Sequence, residues 1–175
     1  MATEKQSYVI VKKDKNIELR EYASAILASV TVDASSHGEA SSKGFSLLAD
    51  YIFGNNIDTT NIKMTAPVIT TQTGNGLYEV SFVMPSKYTI ESIPVPMNKA
   101  VIVHQVASHQ AAAILFSGYS AEHTITSQTK LLIKWLEKNS LIQKGDALVA
   151  RYDPPWKPGF MRLNEIIMYV DKIKL

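Results

Sequence analysis

Ile17-Glu18-Leu19-Arg20-Glu21-Tyr22, followed two residues later by Ala25-Ile26-Leu27-Ala28-Ser29-Val30-Thr31-Val32, is the stretch on which the architecture turns. The first run alternates apolar and charged side chains at its start, which is the period of a strand with one face in the core. The second is rich in small and β-branched residues, which suit a pleated surface, and it should pair with the first. Upstream, Tyr8 to Lys13 mixes apolar and polar residues as a short strand would, and Asp14-Lys15-Asn16 supplies turn residues. An antiparallel meander is expected over this region.

Downstream, a helix is predicted over about Ser36–Phe53. Ser35 or Ser36 can cap it, because a short hydroxyl satisfies free backbone N–H groups. Phe45, Leu48 and Ile52 lie three and four apart, and Leu47 and Tyr51 widen the same apolar face. Gly54 suits the left-handed closing position, and Asn55-Asn56 continue the turn. Two strands should follow, Met64 to Thr71 and then Tyr78, Val80, Phe82 and Met84 along one face, joined at Gly74-Asn75-Gly76. Met84-Pro85-Ser86 ends the pair, and Ile93-Pro94-Val95-Pro96 reads as an extended connector.

The second half then repeats the first. Val101 to Val106 is similar to Ile17–Tyr22, and Ala111 to Phe116 is similar to Ala25–Val30. A helix is predicted over about Ser120–Lys138, with Ile125, Leu132 and Leu136 on one face and Leu131 and Trp135 beside them. Leu148 to Tyr152 and Glu165 to Val170 are the last two strands. Two copies of strand–strand–helix–strand–strand make an α+β domain. It is expected as a twisted antiparallel sheet or distorted β-barrel of two pseudo-symmetric halves, each with one packed helix. The 175 residues fit this single domain, spanning 1–175.

Composition narrows the function. The net charge of +2, with Lys and Arg scattered, does not point to nucleic acid. The one basic cluster, Lys12-Lys13 with Lys15, sits beside Asp14 and reads as part of the turn. The absence of Cys removes disulfides, thiolate ligands and a Cys nucleophile, and fits a reducing compartment. No secretory signal is visible before Lys13, and no run of about 18 apolar residues exists. A cytoplasmic, monomeric protein with no membrane span is expected.

Motifs for catalysis are missing. The sequence has no Gly-x-Ser-x-Gly elbow, no Gly-rich phosphate loop and no His-Glu-x-x-His, and its carboxylates are dispersed. The four histidines show no helical i,i+4 pair. His37 and His123 fall near the starts of the two helices, His37 being expected at the surface. His104 falls on a strand, and His109 in a Ser108-His109-Gln110 turn. No metal site is expected, and the chain does not read as an enzyme. Two segments stand out: Lys63-Met64-Thr65-Ala66-Pro67-Val68, and the loop from Arg151 to Glu165, in which three prolines stiffen a tip bearing Trp156, Phe160 and Met161. A stiff loop with large apolar groups suits the wall of a pocket; a packed loop closing a barrel is the alternative.

Four ordered motifs carry a resemblance to the SOUL/heme-binding-protein family over about Tyr8 to Val170. They are Ile17–Tyr22, Lys63–Val68, Met84-Pro85-Ser86-Lys87-Tyr88, and Arg151-Tyr152-Asp153-Pro154-Pro155-Trp156 through Arg162-Leu163-Asn164-Glu165-Ile166. The resemblance implies a heme- or tetrapyrrole-binding or carrier protein, with an apolar groove on the first helix near the late proline loop. The residues available there are Phe45, Ala49, Trp156, Phe160 and Met161, with Lys43, Lys157 and Arg162 as cations for the propionates. Members that use a histidine ligand place it just after the Tyr of the first motif, where this chain has Ala23 and then Ser24, so heme is expected without an identified axial ligand. Ser42, Phe45, Ala49 and Asp50 stand at the family's helix positions. Asp50 puts an anion where a propionate would need a cation. The alternatives are a small-molecule effector-binding module, for which the chain has no room for a linked DNA-binding helix pair, or a protein-interaction module with the second helix as its surface.

Overall fold

The computed structural model describes residues 3–172. Its elements are β1 (Tyr8–Asp14), β2 (Ile17–Tyr22), β3 (Ala25–Asp33), α1 (His37–Ile52), β4 (Val68–Gly74), β5 (Leu77–Val83), β6 (Ile102–Val106), β7 (His109–Ser117), α2 (Glu122–Lys138), β8 (Leu141–Arg151), a 3-10 turn (Gly159–Met161) and β9 (Leu163–Lys172). All nine strands form one sheet, in the order β1-β2-β7-β9-β8-β4-β5-β3-β6, and every pairing is antiparallel. The sheet stays open, with β1 and β6 at its edges, so the barrel alternative is corrected to an open twisted sheet.

Leaving β1 aside, the strand order reads the same when β2–β5 are exchanged for β6–β9 and the list is reversed. The pseudo-twofold axis therefore passes between β4 and β8. Each half lends its first strand to the other: β2 pairs with β7, and β6 pairs with β3. α1 packs on β3, β4 and β5, and α2 on β7, β8 and β9. Thr70 lies opposite both Val80 and Val149, which face α1 and α2 respectively, so the two helices cover the same face of the sheet.

The core follows the helix stripes. Leu48 and Ile52 are buried with Val30, Val80 and Phe82 under α1, and Leu132 and Leu136 with Leu19, Val149 and Ile166 under α2. α1 seats closer than its large apolar residues suggest, because its buried stripe runs His37, Ala40, Gly44, Leu48, Tyr51 and Ile52. A Cβ on Gly44 would come within 2.4 Å of the Val80 Cβ. This rotation leaves Phe45 at the margin of the contact and 37% exposed. Ser36 caps the helix by accepting from the Glu39 amide, and Gly54 follows it with φ 121°.

Four expectations are revised. β2 and β3 do not pair: β2 lies between β1 and β7 and β3 between β5 and β6, because each half lends its first strand to the other, so the expected meander is limited to β1 and β2. Residues 64–67 are not in a strand: Pro67 has no N–H to donate, and Ala66 bridges Lys5 instead. β8 begins at Leu141, seven residues earlier than expected. Its register shifts between Lys144 and Leu148 around Gly145, which has φ 70° and breaks the alternation. His109 opens β7 rather than lying in a turn.

Candidate functional site

The proline loop is tied into one shape by its own polar groups. One Asp153 carboxylate oxygen accepts from the Leu163 amide at 2.7 Å and the other from Lys157 at 2.6 Å, joining the two ends. Arg162 donates to the Lys157 carbonyl at 2.8 Å and to the Pro155 carbonyl, and its guanidinium lies 5.2 Å from the Tyr119 ring centroid. Gly159 fits beneath that ring, where a Cβ would come within 2.3 Å of it. The rigid loop leaves Trp156 84%, Phe160 79% and Met161 55% exposed. Large apolar groups held in water on a stiff frame fit the chemistry of a flat apolar ligand.

The helix residues form a second group. Phe45 meets Phe82 edge-on at 5.4 Å between centroids, and Ala49 is buried behind it. Lys43 pairs with Glu39 at 2.7 Å and donates to the Asp33 carbonyl at 2.8 Å. Asp50 accepts from Asn55. The structure thus gathers Lys43, Phe45 and Ala49 on α1 and Trp156, Lys157, Phe160, Met161 and Arg162 on the loop. The helix packs on β3–β5, whereas the 3-10 turn of the loop packs on β7. No hydrogen bond or ion pair joins the two groups among the described residues.

A cleft that sequence reasoning missed lies on the face turned away from the helices. Along β2, Ile17 and Leu19 enter the core under α2, so Glu18, Arg20 and Tyr22 point the other way. Arg20 is completely buried. It donates to Glu18 at 2.8 Å, to both oxygens of Glu165 at 2.6 and 3.0 Å, and to the Tyr22 hydroxyl at 2.7 Å, and the Tyr8 ring lies over its guanidinium at 4.2 Å. Tyr152 donates to Glu165 at 2.6 Å. Burial alone would favour neutral Arg20, but the Glu165 carboxylate outweighs it and holds the guanidinium charged. Burial and then the Glu165 charge push the Tyr152 phenol far up, and burial likewise raises Tyr22. Burial opposes ionisation of Glu18, and the bonds from Arg20 and Lys13 overcome it and lower its pKa.

Residues 4–7 cross this cleft as a strap. The Ala66 amide donates to the Glu4 carbonyl and the Ala23 amide to the Ser7 carbonyl, both at 2.9 Å. Gln6 donates to the Ala23 carbonyl at 2.9 Å, and the Ser86 amide to the Glu4 carboxylate at 2.8 Å. Under the strap, His109 stacks on Tyr22 at 5.3 Å and meets the Tyr169 ring at a tilt at 4.1 Å, and Ile69, Leu148 and Ile167 form the floor. The enclosed volume is about 30 Å³, enough for two water-sized groups and far too small for a porphyrin. No spacing rule joins residues from six strands. The available signal was Arg20 itself, a charge on a strand whose alternation reads as solvent-facing but which ends in a buried network.

The histidines also differ from expectation. His37 is buried, because Glu122 of α2 reaches across to its amide at 2.7 Å and its Nδ1 at 3.0 Å, linking the starts of the two helices. His104 bonds Ser29, which in turn bonds Ser81 at 2.6 Å. Among the described residues, no group of three His, Asp or Glu side chains is placed to hold a metal ion, and no helix is long and apolar enough to cross a membrane.

Comparison with known proteins adds the following. Residues 3–169 match the family model for SOUL heme-binding protein. Human heme-binding protein 2 is 28% identical over 147 residues, covering 80% of this chain and 71% of its own length. The EcmrR C-terminal domain superposes with a TM-score of 0.69 at 15% identity, over 90% of this chain and 98% of that one. A hydrolase from Listeria innocua does so with a TM-score of 0.62 at 9% identity, over 92% and 94%. At these identities the two structural likenesses concern the fold.

Proposed function

This chain belongs to the SOUL heme-binding protein family, and from that premise we propose that it is a soluble, monomeric cytoplasmic binder or carrier of heme or a related tetrapyrrole rather than an enzyme. Membership across residues 3–169 carries the reading, and the exposed apolar tip of the proline loop supports it. Phe45 and Ala49 of α1 and Trp156, Phe160 and Met161 of the loop would hold the tetrapyrrole through apolar contacts. Most of its binding free energy comes from apolar burial and ring stacking. Lys43, Lys157 and Arg162 meet the propionates by giving up partners they now hold on the protein. The iron supplies the bound group's redox and ligation chemistry, and Ala23, at the family's ligand position, offers it nothing.

Titration with hemin and with metal-free protoporphyrin tests this. Both should bind, with affinities within about tenfold of one another, a gap of about 1.4 kcal/mol. Phe45→Asp should weaken both alike, by burying a charge in the groove. A sharp low-spin spectrum abolished by replacing one of His37, His104, His109 or His123 would put axial ligation in place of stacking. Failure of both porphyrins to bind would remove the heme reading and leave another apolar ligand or a partner surface.

A further inference from the structure

The cleft beneath the strap is separate from the residues assigned above to the tetrapyrrole, and a solvent-exposed cation stands at its edge. The Lys5 ammonium sits 4.7 Å from the centroid of the Tyr152 ring. Among the described residues Lys5 forms no ion pair. We propose that this cleft is a binding site for flat organic cations, and that Lys5 occupies it in cis until such a ligand displaces the strap.

Three observations converge on a cation. Tyr152 donates its hydroxyl proton to the buried Glu165 carboxylate, which pushes electron density back into the ring and makes the face under Lys5 a better cation acceptor. Beneath the rings, Glu18, Arg20 and Glu165 place two carboxylates against one guanidinium, a buried network with one net negative charge. Lys13 offsets it only from the exposed far side of Glu18, where its side chain is 61% exposed. Beside Tyr152, the Tyr22–His109–Tyr169 cluster and the Leu148 and Ile167 side chains offer aromatic edges and an apolar floor to a flat body attached to the charge. An anion would meet the same negative network and be rejected.

Size explains the role of the strap. About 30 Å³ admits a small head group alone, so an aromatic cation enters only as residues 4–7 lift away. Lifting breaks the backbone bonds to Ala23 and Ala66 and withdraws Lys5 from Tyr152 in one movement. Ligand and Lys5 therefore compete for one ring face, and removing the Lys5 charge should help the ligand.

The test uses the full chain with ethidium, a flat aromatic cation, and fluorescein, an anion of similar size, followed by fluorescence anisotropy. Ethidium should bind, and fluorescein should bind more than about tenfold more weakly. Lys5→Gln should tighten ethidium roughly three- to tenfold, the range expected when a cation–π competitor is removed. Lys130→Gln makes the same charge change on α2 and should leave the affinity unaltered. In the unsubstituted chain, ethidium should shift the methyl NMR signals of Ile69, Leu148 and Ile167 but not those of Leu48 and Leu132 under the helices. Equal effects of the two Lys substitutions, an unchanged or weakened affinity in Lys5→Gln, shifts confined to other methyls, or no binding below about 1 mM would each overturn the proposal.

Discussion

On the face turned away from the helices, the two halves fill equivalent positions with opposite chemistry. Where β2, lent by the N-terminal half, joins the C-terminal half, Glu18, Arg20 and Glu165 form a buried charged network roofed by tyrosines. Where β6 makes the reciprocal loan, Ser29, Ser81 and His104 form a short chain of hydrogen bonds with no carboxylate or guanidinium in it. The backbone frame is shared, so the frame does not require the charges. Buried ions are expensive to keep, and replacing such a triad with apolar groups is often neutral or stabilising. Their place beside the aromatic cleft, and not in the other half, is what the proposed cation site would use.

The largest effect that would sharpen this contrast is at Arg20. Arg20→Met leaves Glu18 and Glu165 buried without their cation, which should cost about 3–5 kcal/mol by urea denaturation. A triple replacement of Glu18, Arg20 and Glu165 by apolar residues of similar volume should recover most of that loss. A cost below about 1 kcal/mol for Arg20→Met would mean that water reaches the carboxylates, and the contrast between the halves would fall away.

The helix sides of the two halves should differ less. Leu48→Ala and Ile52→Ala under α1, and Leu132→Ala and Leu136→Ala under α2, should each cost about 2–5 kcal/mol, since all four side chains are at most 2% exposed. Gly44→Ala should cost a further distinguishing ~1–3 kcal/mol, because its Cβ would press on Val80. α2 reaches its half of the sheet with Ile125, Leu132, Trp135 and Leu136 rather than with a glycine. Losses below about 1 kcal/mol at all four Leu and Ile positions would place the buried faces elsewhere.

These same residues mark how far the sequence could be read. The 3.6-residue stripes of Leu48/Ile52 and Leu132/Leu136 are local, so both helices were legible within two residues at each end. So were the alternating strands and the twofold repeat. The exact seat of α1 was not, because small residues such as Ala40 and Gly44 carry no apolar signal and act only by letting the sheet approach. Nor was the burial of His37, which depends on Glu122 from the other half, or the strand before Gly145, where a bulge breaks the period. The proline loop was visible as a stiff apolar presentation, but whether it faced a core or water depended on tertiary context. The cleft was invisible because each strand contributes one or two side chains to it.

The smallest effect is the share of the alkaline pH dependence that the charged network adds to that of Tyr51 and Tyr78, which burial also raises in the other half. Tyr22 and Tyr152 have phenols pushed above the ordinary value of 10, by burial first and also by the Glu165 charge. In the unfolded chain they ionise near pH 10, while in the folded protein they keep their protons. The unfolded state therefore binds fewer protons above pH 10, and stability should fall as pH rises from there, by roughly 1.4 kcal/mol per pH unit for each such tyrosine. Below pH 10 both states hold the proton and these groups contribute no slope. Tyr152→Phe removes one titrating group, so urea denaturation between pH 9 and 11 should show a slope shallower by about one proton, even if the variant is less stable at neutral pH for want of its bond to Glu165. Ser81→Ala, at the equivalent place in the other half, should lower stability by about 1 kcal/mol at every pH in this range and leave the slope unchanged. A slope that ignores Tyr152→Phe would mean that the phenol ionises in the folded protein near its ordinary value, and would move the alkaline sensitivity away from the charged half.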